Sequence, residues 1–198
     1  MKKLTVIYDE KINDKYRNQY LNLIKKQIKN VEIIDFREST TLKNYKNILV
    51  LEPIDEKFKS QMKDFFMAYP EKDIEGSYTN KLTITAEAII EVLPNDLKNK
   101  KVMIINQSNV LGKPLAKKLI NFGANIFSIN SSFINYEIIK TLNPDILISA
   151  SGNKDFKITK DFLKDIKIIV DLSNDIDSKN KITSIPTAEI LKKRLKKL

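Results

Sequence analysis

Cysteine and histidine are both missing from this chain of 198 residues. Without cysteine there is no disulfide framework and no thiolate nucleophile. Without histidine, the Ser-His-Asp and Cys-His arrangements and every His-ligated metal site fall away, so no metal is expected. Chemistry must come from lysine, tyrosine, carboxylates, the backbone or a cofactor. Tryptophan is absent, and four glycines leave little material for long flexible linkers. No apolar run is long enough to span a membrane, and the apolar stretch after Lys3 is too short for a signal peptide. The cytoplasm is the expected compartment.

Lysine, in contrast, is plentiful. The net charge is +10, from 35 basic and 25 acidic residues. A nucleic-acid partner is one reading of such a balance. However, the lysines are spread along the chain and interleaved with Asp, Glu and Asn. The one dense cluster, residues 192–197, is threaded by Leu191, Leu195 and Leu198 at helical spacing. It reads as the solvated face of an amphipathic terminal helix, and no nucleic-acid partner is expected.

The apolar pattern alternates between strand-like and helix-like periods. Residues 4–8, 31–36 and 48–51 read as strands, and 14–29, 56–68 and 85–93 as helices. Phe58, Met62, Phe65 and Phe66 give the second helix an apolar stripe, expected to be core. Farther on, 102–105, 124–129, 145–149 and 168–171 read as strands, with helices at 112–122, 135–142 and 185–198 between and after them. Such alternation predicts an α/β protein of two lobes, the C-terminal one a Rossmann-like, doubly wound parallel sheet. The expected division is one lobe over 1–95, a second over 96–185, and a terminal helix, 186–198.

The stretch 101–123, KVMIINQSNVLGKPLAKKLINFG, is the centre of this pattern. An apolar strand leads into a polar turn and then a helix that stops at Gly123. A helix N-terminus in that setting offers free N–H groups to a phosphate. No G-x-G-x-x-G is present, so strand, turn and helix alone also fit an ordinary βα turn.

The wording of the turn is more specific. Ser108-Asn109-Val110-Leu111-Gly112-Lys113-Pro114 resembles the G-R-S-x-x-V-G-x-P signature of the methylenetetrahydrofolate dehydrogenase/cyclohydrolase family. Ile48–Pro53 is similar to the family's I-L-V-Q-L-P, and Pro70–Gly76 to its P-x-K-D-V-D-G. Residues 85–93 resemble the helix after P-C-T-P-x-G, and Asn130-Ser131-Ser132 stands at H-S-R. Residues 144–152 resemble A-D-I-L-V-x-A-x-G, and 169–174 resemble V-I-D-V-G-I-N. These follow the family's order over about two thirds of the chain.

The resemblance implies Tyr16, Asp73 and Glu75 at a tetrahydrofolate derivative, with Tyr16 the candidate catalytic group. It implies Asn106, Gln107, Ser108, Asn109, Val110, Gly112, Ser131, Ala150 and Gly152 at NAD or NADP. It also implies a substrate-type domain over 1–95, a nucleotide-binding domain over 96–185, a terminal helix packing back on the first lobe, and a homodimer. Blander readings stand beside it: Asp73 and Glu75 shaping a turn, Tyr16 and Tyr20 half-buried in the core, Asp171 capping a turn.

Departures qualify the resemblance. The lysine of the family's Y-x-x-x-K, acid/base of the cyclohydrolase step, is Tyr20, and a phenol is no substitute for it. Lys15 or Lys72 could stand in from nearby. The glutamine after the third strand is Leu51, and the P-G-G-V-G-P loop has become Ile182–Pro186. Gln107 and Ser132 replace two arginines suited to a 2′-phosphate, which favours NAD over NADP. The expectation is a reduced methylenetetrahydrofolate dehydrogenase with cyclohydrolase activity weak or lost. The alternative is a catalytically inactive descendant that binds a nucleotide, a folate or a protein partner.

Overall fold

A computed structural model describes residues 2–37, 40–133 and 136–197. The chain divides into two compact units, residues 1–84 with 187–198, and residues 85–186. The first crossing falls at 84/85, ahead of the expected 95/96. Helix α3 (Ile84–Ile90) accounts for the difference: its fully buried Ala86, Ala88 and Ile89 group with the second unit.

The first unit holds β1 (Leu4–Tyr8), α1 (Asp14–Gln27), β2 (Val31–Asp35), β3 (Ile48–Val50) and α2 (Glu56–Ala68). Its strands are parallel in the order β2-β1-β3, with Val6 opposite both Ile33 and Leu49. Both helices begin where the sequence supplies a side-chain oxygen. Asn13 accepts the Lys15 N–H at 3.0 Å, and Asp55 accepts that of Lys57 at 3.1 Å. Phe58, Met62 and Phe66 of α2 do form core, against Ile7, Phe36, Ile48 and Val50. Phe36 meets Phe58 edge-on at 4.8 Å. Truncating Phe66, which is wholly buried, would cost roughly 3–5 kcal/mol.

The second unit holds α3, β4 (Lys101–Ile105), α4 (Gly112–Asn121), β5 (Asn125–Ile129), α5 (Tyr136–Leu142), β6 (Ile146–Ser149) and β7 (Ile168–Asp171). All four strands are parallel, in the order β5-β4-β6-β7. The predicted helix start at Asn135 lies outside the described residues. Central strands β4 and β6 are buried almost throughout, as their unbroken apolar runs require. Gly123 ends the α4 region at φ +82°, a conformation that costs glycine little. The order reverses at β4, so the crevice that receives ligands in such sheets lies outside the carboxyl ends of β4 and its neighbours.

Helix α6 (Thr187–Lys197) returns to the first unit and contacts α1. Ile190, Leu191 and Leu195 form its buried face. No helix among the described residues is long and apolar enough to cross a membrane.

Candidate functional site

In the second unit, one amide organises the turn between β4 and α4. Asn106 Oδ1 accepts the N–H of Ser108 at 2.9 Å, the Ser108 hydroxyl at 2.8 Å and the N–H of Gly112 at 2.9 Å. Its Nδ2 donates to the Ala150 carbonyl at 2.7 Å and so ties the end of β4 to the loop after β6. Only glycine fits at 112, because an added Cβ would stand 1.9 Å from the Asn106 carbonyl oxygen. The turn thus brings Asn106, Ser108, Gly112 and Ala150 together. Gln107 and Asn109 are exposed beside them, and Val110 is half-buried.

The expectation of free N–H groups at the start of α4 is corrected here. Leu111 N donates to Ser108 Oγ, Gly112 N to Asn106 Oδ1 and Lys113 N to the Ser108 carbonyl. Pro114 has no N–H, and Leu115 N closes the first helical bond, to Leu111. The polar turn that marks the motif satisfies the helix end itself.

Gly152 sits at φ +67° with its N–H donating to Ser173 Oγ at 3.2 Å, and nothing lies within 4 Å of where its Cβ would be. A ligand can approach the backbone there. Ser131 follows β5 and is half-buried. Gln107 Nε2 donates to the Ser128 carbonyl at 3.0 Å, so this amide is spent on the protein.

Two buried aspartates close the far end of the crevice. Asp171 accepts the N–H groups of Ser173, Asp175 and Ile176, and Lys181 Nζ at 2.7 Å. Burial pushes its carboxyl up, but Lys181 and the N–H donors outweigh this and hold it below the usual range. This is the turn-capping reading of Asp171. Asp175 accepts the hydroxyls of Ser149 at 2.6 Å and Ser151 at 2.8 Å.

In the first unit the same logic appears with a charge. Asp73, 5% exposed, accepts the N–H of Gly76 at 2.7 Å, those of Tyr78 and Thr79 at 3.1 Å, and the Thr79 hydroxyl at 2.9 Å. Its carboxylate is spent on the loop, as the turn-shaping reading holds. Glu75 is half-buried in that loop. Desolvation pushes its carboxyl up to about 7 against the pull of Arg194 and the Ile84 N–H, with Asp73 adding to the rise. Tyr78 donates to Glu52 Oε1 at 2.8 Å, and burial first, then the Glu52 charge, raises its phenol.

The positions around the missing lysine are now placed. Tyr20 is 53% exposed, which corrects the half-buried core reading for it. The reason is register: Leu21, Ile24 and Ile28 carry the buried stripe of α1. Tyr16 lies in the first turn of α1, and its side chain lies outside the described ones. Leu51 is buried. Lys15 is exposed, and Lys72 Nζ donates to the Lys43 carbonyl at 2.7 Å, beside the rings of Phe65 and Tyr69. Among the described residues no group of three or more His, Cys, Asp or Glu is placed to hold a metal.

The sequence reading missed Arg194. Its Nη1 donates to the carbonyls of Ile74 at 2.8 Å and Glu75 at 2.9 Å, and its Nη2 to that of Leu82 at 2.6 Å. The signal was its spacing, four residues after buried Ile190, which puts it on the buried edge of an otherwise basic helix. Also missed was a cleft of about 370 Å³ at the carboxyl end of the first sheet, lined by Asp9, Phe36, Arg37, Asp55 and Phe58 among others. Asp9 there is fully buried and accepts the N–H groups of Lys11 and Asp55.

Residues 83–193 match the family model described as Tetrahydrofolate dehydrogenase/cyclohydrolase, NAD(P)-binding domain. The Bifunctional protein FolD of Dictyoglomus thermophilum is 31% identical over 165 residues, covering 74% of this chain and 57% of that protein. That of Mycoplasma capricolum is 31% identical over 180 residues, covering 83% and 57%. The chain spans about half the length of the curated relatives it matches. Among solved structures, the Trypanosoma brucei methylenetetrahydrofolate dehydrogenase-cyclohydrolase, complexed with NADP cofactor and inhibitor, superposes with a TM-score of 0.75 at 18% identity, covering 97% of this chain and 84% of that one. The NAD-dependent 5,10-methylenetetrahydrofolate dehydrogenase of Saccharomyces cerevisiae gives 0.72 at 16%, covering 97% and 86%. At these identities the likeness is one of fold.

Proposed function

Since the chain belongs to the tetrahydrofolate dehydrogenase/cyclohydrolase family and carries its NAD(P)-binding domain, we propose that it is a reduced methylenetetrahydrofolate dehydrogenase with cyclohydrolase activity weak or lost. The observation that carries this reading is the Asn106–Gly112 turn. Ser108 and Gly112 match the family signature, and Asn106, standing where that signature has glycine, supplies the amide that gathers the turn at the carboxyl end of the sheet. The open backbone at Gly152 fits a planar ring or sugar brought close to the chain.

A bound nicotinamide would supply the hydride acceptor. The contributions of the chain are binding and orientation. Ser108, Asn109 and Val110 would border the diphosphate side on the turn that Gly112 makes possible, and Ser131, Ala150 and Gly152 would line the rest. Gln107 is neutral and engaged at Ser128, so it offers a 2′-phosphate no cation, which supports NAD over NADP. Tyr16 and Glu75 would meet a tetrahydrofolate derivative, with Asp73 shaping the loop beneath. Hydride transfer needs no obligate proton donor, and this suits a chain that lacks the family's lysine. A homodimer in the cytoplasm completes the proposal on family grounds.

A second reading, a catalytically inactive descendant that keeps a nucleotide, folate or protein partner, is favoured by one observation. The lysine position, Tyr20, faces solvent, and the glutamine position, Leu51, is buried and apolar.

The test is nicotinamide reduction by the purified chain given 5,10-methylenetetrahydrofolate with NAD or NADP, beside Ser108→Trp and Asp73→Ala. Turnover that is faster with NAD and lost in both variants is expected. No turnover from a folded chain rejects the enzyme and leaves the binding descendant. Tyr20→Lys is expected to restore no cyclohydrolase activity, because a lysine at that exposed place keeps its ordinary pKa.

A further inference from the structure

The loop 73–82 has two limbs, and each returns to the same guanidinium. One tine of the Arg194 fork holds the Ile74 and Glu75 carbonyls and the other holds that of Leu82. Within the loop, Asp73 ties Gly76, Tyr78 and Thr79, and Lys81 N donates to the Gly76 carbonyl at 3.0 Å. Those bonds shape the turn but do not anchor it to a helix. Arg194 does, from a part of the chain more than a hundred residues away. Lysine could not replace it, because a single ammonium cannot span three carbonyls as a planar fork does.

We propose that Arg194 is a positioning residue: its fork fixes both limbs of the 73–82 loop and, with its charge beside Glu75, sets where that carboxyl stands. The charged groups facing Glu75 are Arg194 from α6 and Asp73 from its own loop, with the Ile84 N–H from the start of α3. Arg194 favours the carboxylate, while Asp73 and burial oppose it. The carboxyl therefore stands between two opposed influences, one of which arrives on α6. That the carboxyl meets a folate rests on the function proposed above; that Arg194 places it does not.

The experiment is a carboxyl-carbon NMR titration of glutamate-labelled full chain without ligand, with Glu75 assigned by Glu75→Gln. Amide exchange at Gly76 and Lys81 is followed in the same samples. In Arg194→Met the Glu75 midpoint is expected to rise by about 1 pH unit or more while the rest of the spectrum is kept. A fall toward the ordinary glutamate value, together with lost protection at Gly76 and Lys81, also upholds the proposal, because the loop has then opened. An unmoved midpoint overturns it, whether or not exchange quickens. If Arg194→Met does not fold, Arg194→Lys decides. Lysine keeps the charge, so the midpoint should stay near that of the parent while exchange at Gly76 and Lys81 quickens. Exchange equal to that of the parent overturns the clamp.

Discussion

The loop 73–82 and the turn 106–112 solve the same problem with different materials. Each is gathered by one short side chain that accepts several N–H groups, and each contains a glycine that a Cβ would not fit. In the turn, the organiser is the neutral amide of Asn106. It accepts three hydrogen bonds and donates a fourth, to Ala150 on the neighbouring loop. In the loop, the organiser is the carboxylate of Asp73, which accepts four and donates none. The amide closes its own accounts within the unit's sheet end. The carboxylate, with Glu75 beside it, leaves negative charge and two limbs of carbonyls to be answered by a cation from elsewhere in the chain. The Asn106 turn is thus closed locally, whereas the loop gathered by Asp73 also takes a cation onto its outer carbonyls.

The strongest way to break the comparison is at the glycine of the turn. Gly112→Ala places a Cβ against backbone at 1.9 Å, which side-chain motion cannot relieve. A loss of about 3 kcal/mol or more is expected for the second unit in urea unfolding followed by amide exchange. Gly76→Ala tests the matching position, where the nearest atom is a Lys81 side-chain carbon at 2.8 Å but φ is +90°.

Exchanging the organisers comes next. Asn106→Asp sets a carboxylate oxygen against the Ala150 carbonyl in place of a donor, at an expected cost of about 2–3 kcal/mol in the same assay. Asp73→Asn leaves one set of N–H donors facing an NH2 group, at about 1–2 kcal/mol. Tyrosine fluorescence reads that loss, since every tyrosine but Tyr136 belongs to the first unit. Were the two exchanges equally mild, charge would not be what separates the two designs.

The smallest effect is a slope. The carboxyl of Glu75 is raised in the fold, so its contribution to stability is fully present below the ordinary glutamate value of 4.5. It is lost as pH rises toward about 7. The first unit should therefore weaken by about 1 kcal/mol or more over that window, and Glu75→Gln should remove the slope. An unchanged slope in Glu75→Gln would assign it to another group.

Most of the fold was legible from periodicity. Unbroken apolar runs gave the central strands β4 and β6, and the Phe58–Phe66 stripe gave the core face of α2. The order of motifs pointed to the family before any geometry was known. What stayed hidden depends on hydrogen-bond direction. Nothing in Ser108-Asn109-Val110 says that the turn satisfies the helix end itself, and the spacing of Arg194 from Ile190 marks an inward edge of α6 without saying which carbonyls the guanidinium meets. Tyr20 was misread because two tyrosines four apart suggest a shared face, whereas the buried stripe of α1 runs through Leu21, Ile24 and Ile28.

The return of α6 also has a meaning in time. In chain order the second unit is an insertion into the first, about a hundred residues long. A ribosome therefore makes β1, β2, β3 and the 73–82 loop, then the whole second unit, and only then the helix that carries Arg194. During synthesis the first unit waits with its loop unclamped, and the second can fold as a unit ahead of it. Order of completion therefore differs from order of synthesis: of the two units, the one whose strands are made first is the later to be finished.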